Sequence, residues 1–141
     1  MTGMYVAVAA LVLAMTLGLV WQRRNGVLRE HGRREGADVE RLSTAELGTS
    51  LGEKATLVQF SSAFCAPCRA TRRILTDVAD MVEGVAHVEL DAEAHLDLVR
   101  RLNVLRTPTV FVLDAGGGVV RRASGLPRKA DIIAALGETV A

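Results

Sequence analysis

Cys65 and Cys68 are the only cysteines in the 141-residue chain, and two residues, Ala66 and Pro67, separate them. Two thiols at this spacing support dithiol–disulfide exchange: one thiolate attacks a partner's disulfide, and the second resolves the mixed disulfide that forms. The pair falls where an apolar run of strand length, Ala55–Phe60, gives way to helical periodicity beginning at Pro67. Backbone N–H groups and the helix dipole at such a junction stabilise an anion, which lowers a thiol pKa from about 8.5 toward 7 or below. Cys65, at the start of the turn, is then the nucleophile. Cys68 lies on the first helical turn, facing inward as the resolving thiol. Pro67 costs little there, because the N–H it lacks has no helical partner.

Three other readings compete. Zinc needs about four ligands, and the chain offers two cysteines with His31, His87 and His95 at unsuitable spacings, so no metal is expected. A purely structural disulfide across two residues closes too small a loop to add much stability. Two inert buried thiols remain as the third alternative. Exchange through the dithiol itself needs no cofactor.

A second feature points to the same chemistry. Thr107-Pro108 stands just before the buried-type run Thr109–Leu113, where a proline disrupts strand pairing unless its position is special. A cis bond would fit and would present the Thr107 backbone to an extended substrate peptide. The alternative is an ordinary trans proline opening the strand.

The elements that position these residues follow from hydrophobic period. Val39–Leu42 reads as a short edge strand, and Ser43-Thr44-Ala45-Glu46 has capping-box spacing for a helix to about Leu51. Strand Ala55–Phe60 precedes a helix from Pro67 to about Val82, with Leu75, Val78, Met81 and Val82 at helical spacing. Val85–Leu90 is the next strand. Leu96–Leu102 is a short helix burying Leu96, Val99 and Leu102. Thr109–Leu113 and Val119–Ala123 flank the turn cluster of residues 114–118 as a hairpin, and a last helix spans about Arg128 to Leu136, with Ile132, Ile133 and Leu136 on one side. The expected architecture is α/β: a central mixed sheet of four or five strands with helices on both faces.

Residues 1–21 read as an amino-terminal transmembrane anchor. Met4–Trp21 contains no charged residue, and 18 residues at 1.5 Å rise span about 27 Å, close to a bilayer's hydrocarbon thickness. A cleaved signal peptide would carry a basic start, a shorter apolar run and a small-x-small site where that run ends, whereas this run ends in Leu19-Val20-Trp21; cleavage and a buried core helix are the alternatives. Arg23, Arg24, Arg29, Arg33 and Arg34 all follow the helix, which orients the chain with its domain in the cytoplasm. Trp21 fits an interface anchor, and the arginines suit either anionic lipid heads or plain solvation. Residues 22–37, with glycines among the charges, read as a basic flexible juxtamembrane linker. Residues 38–141 form the soluble domain, with 12 basic and 14 acidic residues. That balance carries no clustered positive surface for nucleic acid.

These features together resemble the thioredoxin family over residues 38–141. The resemblance rests on the strand–CxxC–helix order, the Thr107-Pro108 pair about forty residues downstream, the Gly-rich hairpin turn and Gly125 before the final helix. It implies a thioredoxin-like fold, with Cys65 attacking and Cys68 resolving. Phe64, Ala66, Pro67, Thr107 and Pro108 would contact substrate, with Pro108 as the groove's cis-proline and Thr107 supplying backbone contacts. Where thioredoxins carry W-C-G-P-C, this chain has Phe64 and Ala66 in place of Trp and Gly. The family's buried acid six residues ahead of the first cysteine falls at Gln59, which cannot accept a proton as a carboxylate does. The family's lysine on the neighbouring strand corresponds to His87, a candidate proton carrier near neutral pH or else a simple strand histidine. Ser61 and Ser62 replace the family's Trp-Ala, which counts against recognition by a standard thioredoxin reductase.

The resulting expectation is a membrane-tethered, single-pass disulfide reductase contributing to redox homeostasis. Its partners would be disulfide-containing proteins and an electron donor that the residues do not identify. An extracytoplasmic oxidoreductase for cofactor or protein maturation, and a redox-inactive thioredoxin-like binding module, are the alternatives. Nothing in the residues names an oligomer.

Overall fold

The computed structural model describes residues 1–30 and 40–141. Helix α1 (Thr2–Arg24) leads into a two-residue strand β1 (Arg29–Glu30). There follow α2 (Thr44–Leu47), β2 (Ala55–Ser61), α3 (Ala66–Met81), β3 (Val85–Asp91), α4 (Leu96–Arg101), β4 (Thr109–Asp114), β5 (Val119–Ser124) and α5 (Lys129–Val140). The sheet runs β1-β5-β4-β2-β3. β2 pairs parallel with β3 and antiparallel with β4. This is the thioredoxin-like fold expected from the sequence, a mixed sheet with helices on both faces.

β2 and β4 are central, which explains their apolar runs: both faces are covered. Val58, Phe60, Val88, Leu90, Phe111 and Leu113 form one core layer with Leu98, on α4, and Leu47, on α2. Leu57, Val110 and Val112 form the other with Leu75 and Val78 of α3 and Ile132 and Leu136 of α5. Burying each such side chain is worth about 1.5–3 kcal/mol.

Several helical faces differ from those the sequence pattern suggests. In α3 the buried stripe is Cys68, Thr71, Leu75 and Val78, while Met81 is exposed; at helical spacing that stripe continues to residue 82, not 81. α4 buries Leu98 and leaves Leu96 exposed, and α5 buries Ala135 in place of the expected Ile133. α2 has both halves of the Ser43–Glu46 capping box but ends at Gly48, in the left-handed conformation, before Leu51.

The edge strand also differs. Val39 lies outside the described residues, and Arg41 makes only an isolated bridge with Gly118. Glu40 and Leu42 each contribute one backbone hydrogen bond to the β4–β5 turn, at 2.8 and 3.0 Å. Further along β5, Arg29 and Glu30 pair antiparallel with Arg122 and Arg121. The segment expected as linker, residues 22–37, is therefore structured at its start. α1 continues through Gln22-Arg23-Arg24, good helix formers, and the chain then joins the sheet; residues 31–37 lie outside the described residues.

Gly26 makes this return possible. Its φ is +75°, and a β-carbon there would sit 1.9 Å from the Leu126 carbonyl oxygen. Without one, the Gly26 N–H reaches the Ser124 carbonyl at 2.8 Å. α1 is one helix long and apolar enough to cross a membrane, and none of its residues is buried.

Candidate functional site

Sheet register brings three loops to one end of the molecule. Phe60, near the end of β2, pairs with Thr109, the first residue of β4, and Thr109 also pairs with Ser124, the last of β5. The loops at residues 62–65, 106–108 and 125–128 are therefore neighbours. Ser62 Oγ and Thr107 Oγ1 are hydrogen-bonded at 2.8 Å, and the Gly125 N–H donates to the Pro108 carbonyl at 2.8 Å. The Thr107–Pro108 peptide bond is cis.

Cys65 is the N-cap of α3, and its Sγ accepts the Cys68 N–H at 3.2 Å. The two sulfurs are bonded as a disulfide, with Cα atoms 5.2 Å apart. Cys65 is half-buried, whereas Cys68 is only 2% exposed. The Cys68 N–H and the start of α3 therefore face Cys65 Sγ, not Cys68 Sγ. Phe64, fully exposed, holds φ at +60° just before the pair. Ala66 and Pro67 are exposed on the first turn, and Thr71 Oγ1 donates to the Pro67 carbonyl at 2.8 Å. Among the described residues no cluster of side chains suited to a metal ion occurs.

Gln59 lies fully buried beneath the pair. Its Nε2 donates to the Cys68 carbonyl at 2.8 Å, while its Oε1 is buried with no partner among the described residues. His87 is on the same side of the sheet but pairs in register with Leu57, two residues before Gln59. Its Nδ1 contacts Thr76 Oγ1 at 3.3 Å, and its Nε2 is buried with no partner among the described residues. Thr76 lies eight residues beyond Cys68, about 12 Å along α3. The structure thus brings Gln59 to Cys68 and directs the His87 ring to the middle of the helix. Burial pushes the His87 pKa below its ordinary 6.5, with Arg72 acting in the same direction and Glu89 opposing.

Glu89, beside Gln59 in the β2–β3 register, is a site neighbour that the sequence pattern does not single out. Arg72 of α3 makes two contacts to its carboxylate, and Ser61 Oγ donates to it at 2.8 Å. The hydrogen bond from Arg72 is the main cause that holds the Glu89 carboxyl below its usual range. Period-two alternation places Glu89 on the face of His87, so its side of the sheet is legible in the sequence; its pairing with Arg72 is not.

The thioredoxin family model matches residues 39–138. Thioredoxin of Mycoplasma genitalium is 30% identical over 81 residues, covering 57% of this chain and 78% of that protein. Thioredoxin of Mycolicibacterium smegmatis is 30% identical over 102 residues, covering 70% and 87%. Among solved structures, chloroplastic thioredoxin z superposes with a TM-score of 0.58 at 27% identity, over 73% of this chain and 95% of that one. With a half-buried and a fully buried cysteine bonded at the start of α3 and a cis-proline loop beside them, this chain belongs to the thioredoxin family and is a thiol–disulfide oxidoreductase.

Proposed function

We propose that this chain is a membrane-tethered reductase of protein disulfides, with its catalytic domain on the cytoplasmic side. The observation that carries the reading is the asymmetry of the two sulfurs: Cys65 is accessible at the helix start, and Cys68 is buried behind it. In the reduced state the Cys65 thiolate attacks one sulfur of a substrate disulfide, and the other substrate sulfur leaves as a thiolate that takes up a proton. Cys68, losing its proton, then attacks Cys65 Sγ. The second substrate thiol departs, the Cys65–Cys68 disulfide forms, and two electrons have passed to the substrate. A thiol donor restores the dithiol, and no cofactor takes part.

Phe64, Ala66 and Pro67 form the exposed apolar rim on which substrate rests, and Thr107 and Pro108 line the opposite side. With Gln59 in the acid's place, the Cys68 proton leaves to solvent or a side-chain carrier. His87 is our candidate for the latter, acting through a relay across the roughly 12 Å of α3 that separates its contact Thr76 from Cys68. Membrane attachment is supported by the length and composition of α1, and sidedness by the arginines in its last turn and after it.

The test is trapping in cells with Cys68→Ser. We expect partner proteins joined through Cys65, released by reductant and absent from the double serine variant. If no mixed disulfide accumulates, the exchange reading is wrong. Labelling of Cys65 in intact cells by a membrane-impermeant maleimide would overturn the cytoplasmic orientation alone.

A further inference from the structure

Two cavities lie side by side where α1 ends, and Asn25 and Arg106 line both. The larger, about 970 Å³, begins at Pro67, Thr107 and Pro108 and runs past Leu126 to Gln22 and Arg23 in the last turn of α1. The smaller, about 720 Å³, continues past Arg24, Arg29 and Arg122. The groove beside the disulfide is thus closed on its far side by the helix terminus. Residues 19–29 fall outside the stretch 39–138 that matches the family, so this wall is an addition to the domain.

Its chemistry is one-sided. Six arginines line the two cavities, and among the described residues no aspartate or glutamate does. Arg106 Nη2 donates to Asn25 Oδ1 at 3.0 Å and to the Ser124 carbonyl at 2.9 Å, both neutral acceptors. Arg122 likewise donates to the carbonyls of Leu102 and Asn103. Of the three arginines in the larger cavity, Arg128 has an ion pair, with Asp131. Asp131 offsets Arg128, and Glu40 acts on Arg122, but the contacts of Arg106 fix its guanidinium without cancelling its charge; a concave surface with a net charge of one sign attracts the opposite one.

We infer that the helix terminus and Arg106 form a specificity wall that selects substrates whose reactive cysteine is flanked by an acidic stretch of polypeptide. The inference rests on the exchange reading above. A peptide strand paired along Thr107 advances about 3.3 Å per residue, so residues flanking the attacked cysteine pass over this basic wall. Continuity of the wall with Thr107 and Pro108 favours polypeptide over a lipid headgroup, which would obstruct exchange.

The test uses the full chain, reduced, in neutral nanodiscs. Three synthetic peptide disulfides are compared, identical except for aspartate, serine or lysine flanks. We expect kcat/KM to favour the aspartate peptide over the serine peptide by about tenfold at low salt, with the advantage shrinking in high salt. Arg106→Gln and, separately, Arg23→Gln should each cut that ratio by about threefold, through KM. Arg23→Gln leaves the Asn25 and Ser124 contacts intact, so an effect there is not a folding artefact. A ratio near one, or one unchanged in both variants, overturns the inference while leaving exchange standing. So does loss of the ratio on adding phosphatidylglycerol, which would assign the arginines to lipid. Failure to reduce any of the three peptides would instead sink the exchange reading, and this inference with it.

Discussion

Gln59 Nε2 donates to the Cys68 carbonyl at 2.8 Å, so a neutral amide occupies the buried position beneath the resolving cysteine. Replacing that amide with an acid should make stability depend on pH in a manner the native protein does not show. In Gln59→Glu the carboxyl is buried and its pKa is raised above the unfolded value of about 4.3. Its contribution is fully present below that value and is lost as pH rises through the folded pKa. Denaturant unfolding of the oxidised variant should show a deficit relative to native that is larger at pH 8 than at pH 4. The difference should be about 1.4 kcal/mol for every tenfold weakening of the acid that burial produces. An equal deficit at both pH values would contradict this account of the site.

The imidazole of His87 sets a second pH dependence. Its folded pKa lies below 6.5 because burial opposes the charged form. Between the folded value and 6.5 the unfolded chain binds more protons, so stability is full above 6.5 and declines as pH falls through this window. His87→Gln should flatten the decline between about pH 7 and 5.5. Unfolding curves for the two proteins that stay parallel over that range would show that His87 does not titrate as described.

Glu89 acts in a lower window. Its pKa is depressed chiefly by the hydrogen bond from Arg72, so its contribution is present above the ordinary value of 4.5 and fades as acid protonates it. Arg72→Met should remove much of this acid sensitivity below pH 4.5. The pair is partly exposed, so the loss of stability at neutral pH should be small. Circular dichroism during acid titration is the measurement, and unchanged midpoints would refute the assignment.

At Gly26 the prediction concerns the seam between α1 and the domain. Gly26→Ala places a β-carbon against the Leu126 carbonyl at a φ of +75°, and we expect a cost of about 1–3 kcal/mol. The amide of residue 26 should lose its protection against hydrogen exchange as its bond to the Ser124 carbonyl opens. Protection as strong as in the native chain would show that the seam tolerates the methyl group.

Phe64 combines a left-handed backbone with a fully exposed ring. Phe64→Gly relieves the conformational cost and should stabilise the fold by up to about 1 kcal/mol. The same change removes an apolar contact for substrate and should raise KM for a peptide disulfide by about threefold or more. A variant with unchanged KM would take Phe64 out of the binding surface.

Much of the fold is legible in the sequence because it rests on local rules. The capping box at Ser43 and Glu46, the apolar runs of β2 and β4, the helical period after Pro67 and the Gly-rich hairpin turn are all set by residues within a few positions of one another. The cysteine spacing and Thr107-Pro108 are legible for the same reason. The sheet's free edge is not, because Glu40 and Leu42 bond only the turn and the first residue of β5 while Arg29 and Glu30 pair further along it. The apolar character that favours Val39–Leu42 as a strand does not decide which segment reaches the edge.

Local pattern by itself determined which segments become strands and helices and where a dithiol sits between them, because period and turn chemistry are properties of neighbouring residues. Tertiary structure decided what those segments meet. It turned Leu98 inward in place of Leu96, aimed the His87 ring at Thr76, set Gln59 under Cys68 and joined Gly26 to Ser124 across nearly a hundred residues. Each of these depends on burial and pairing between parts of the chain far apart in sequence, where the competing partners differ only by how the whole core closes.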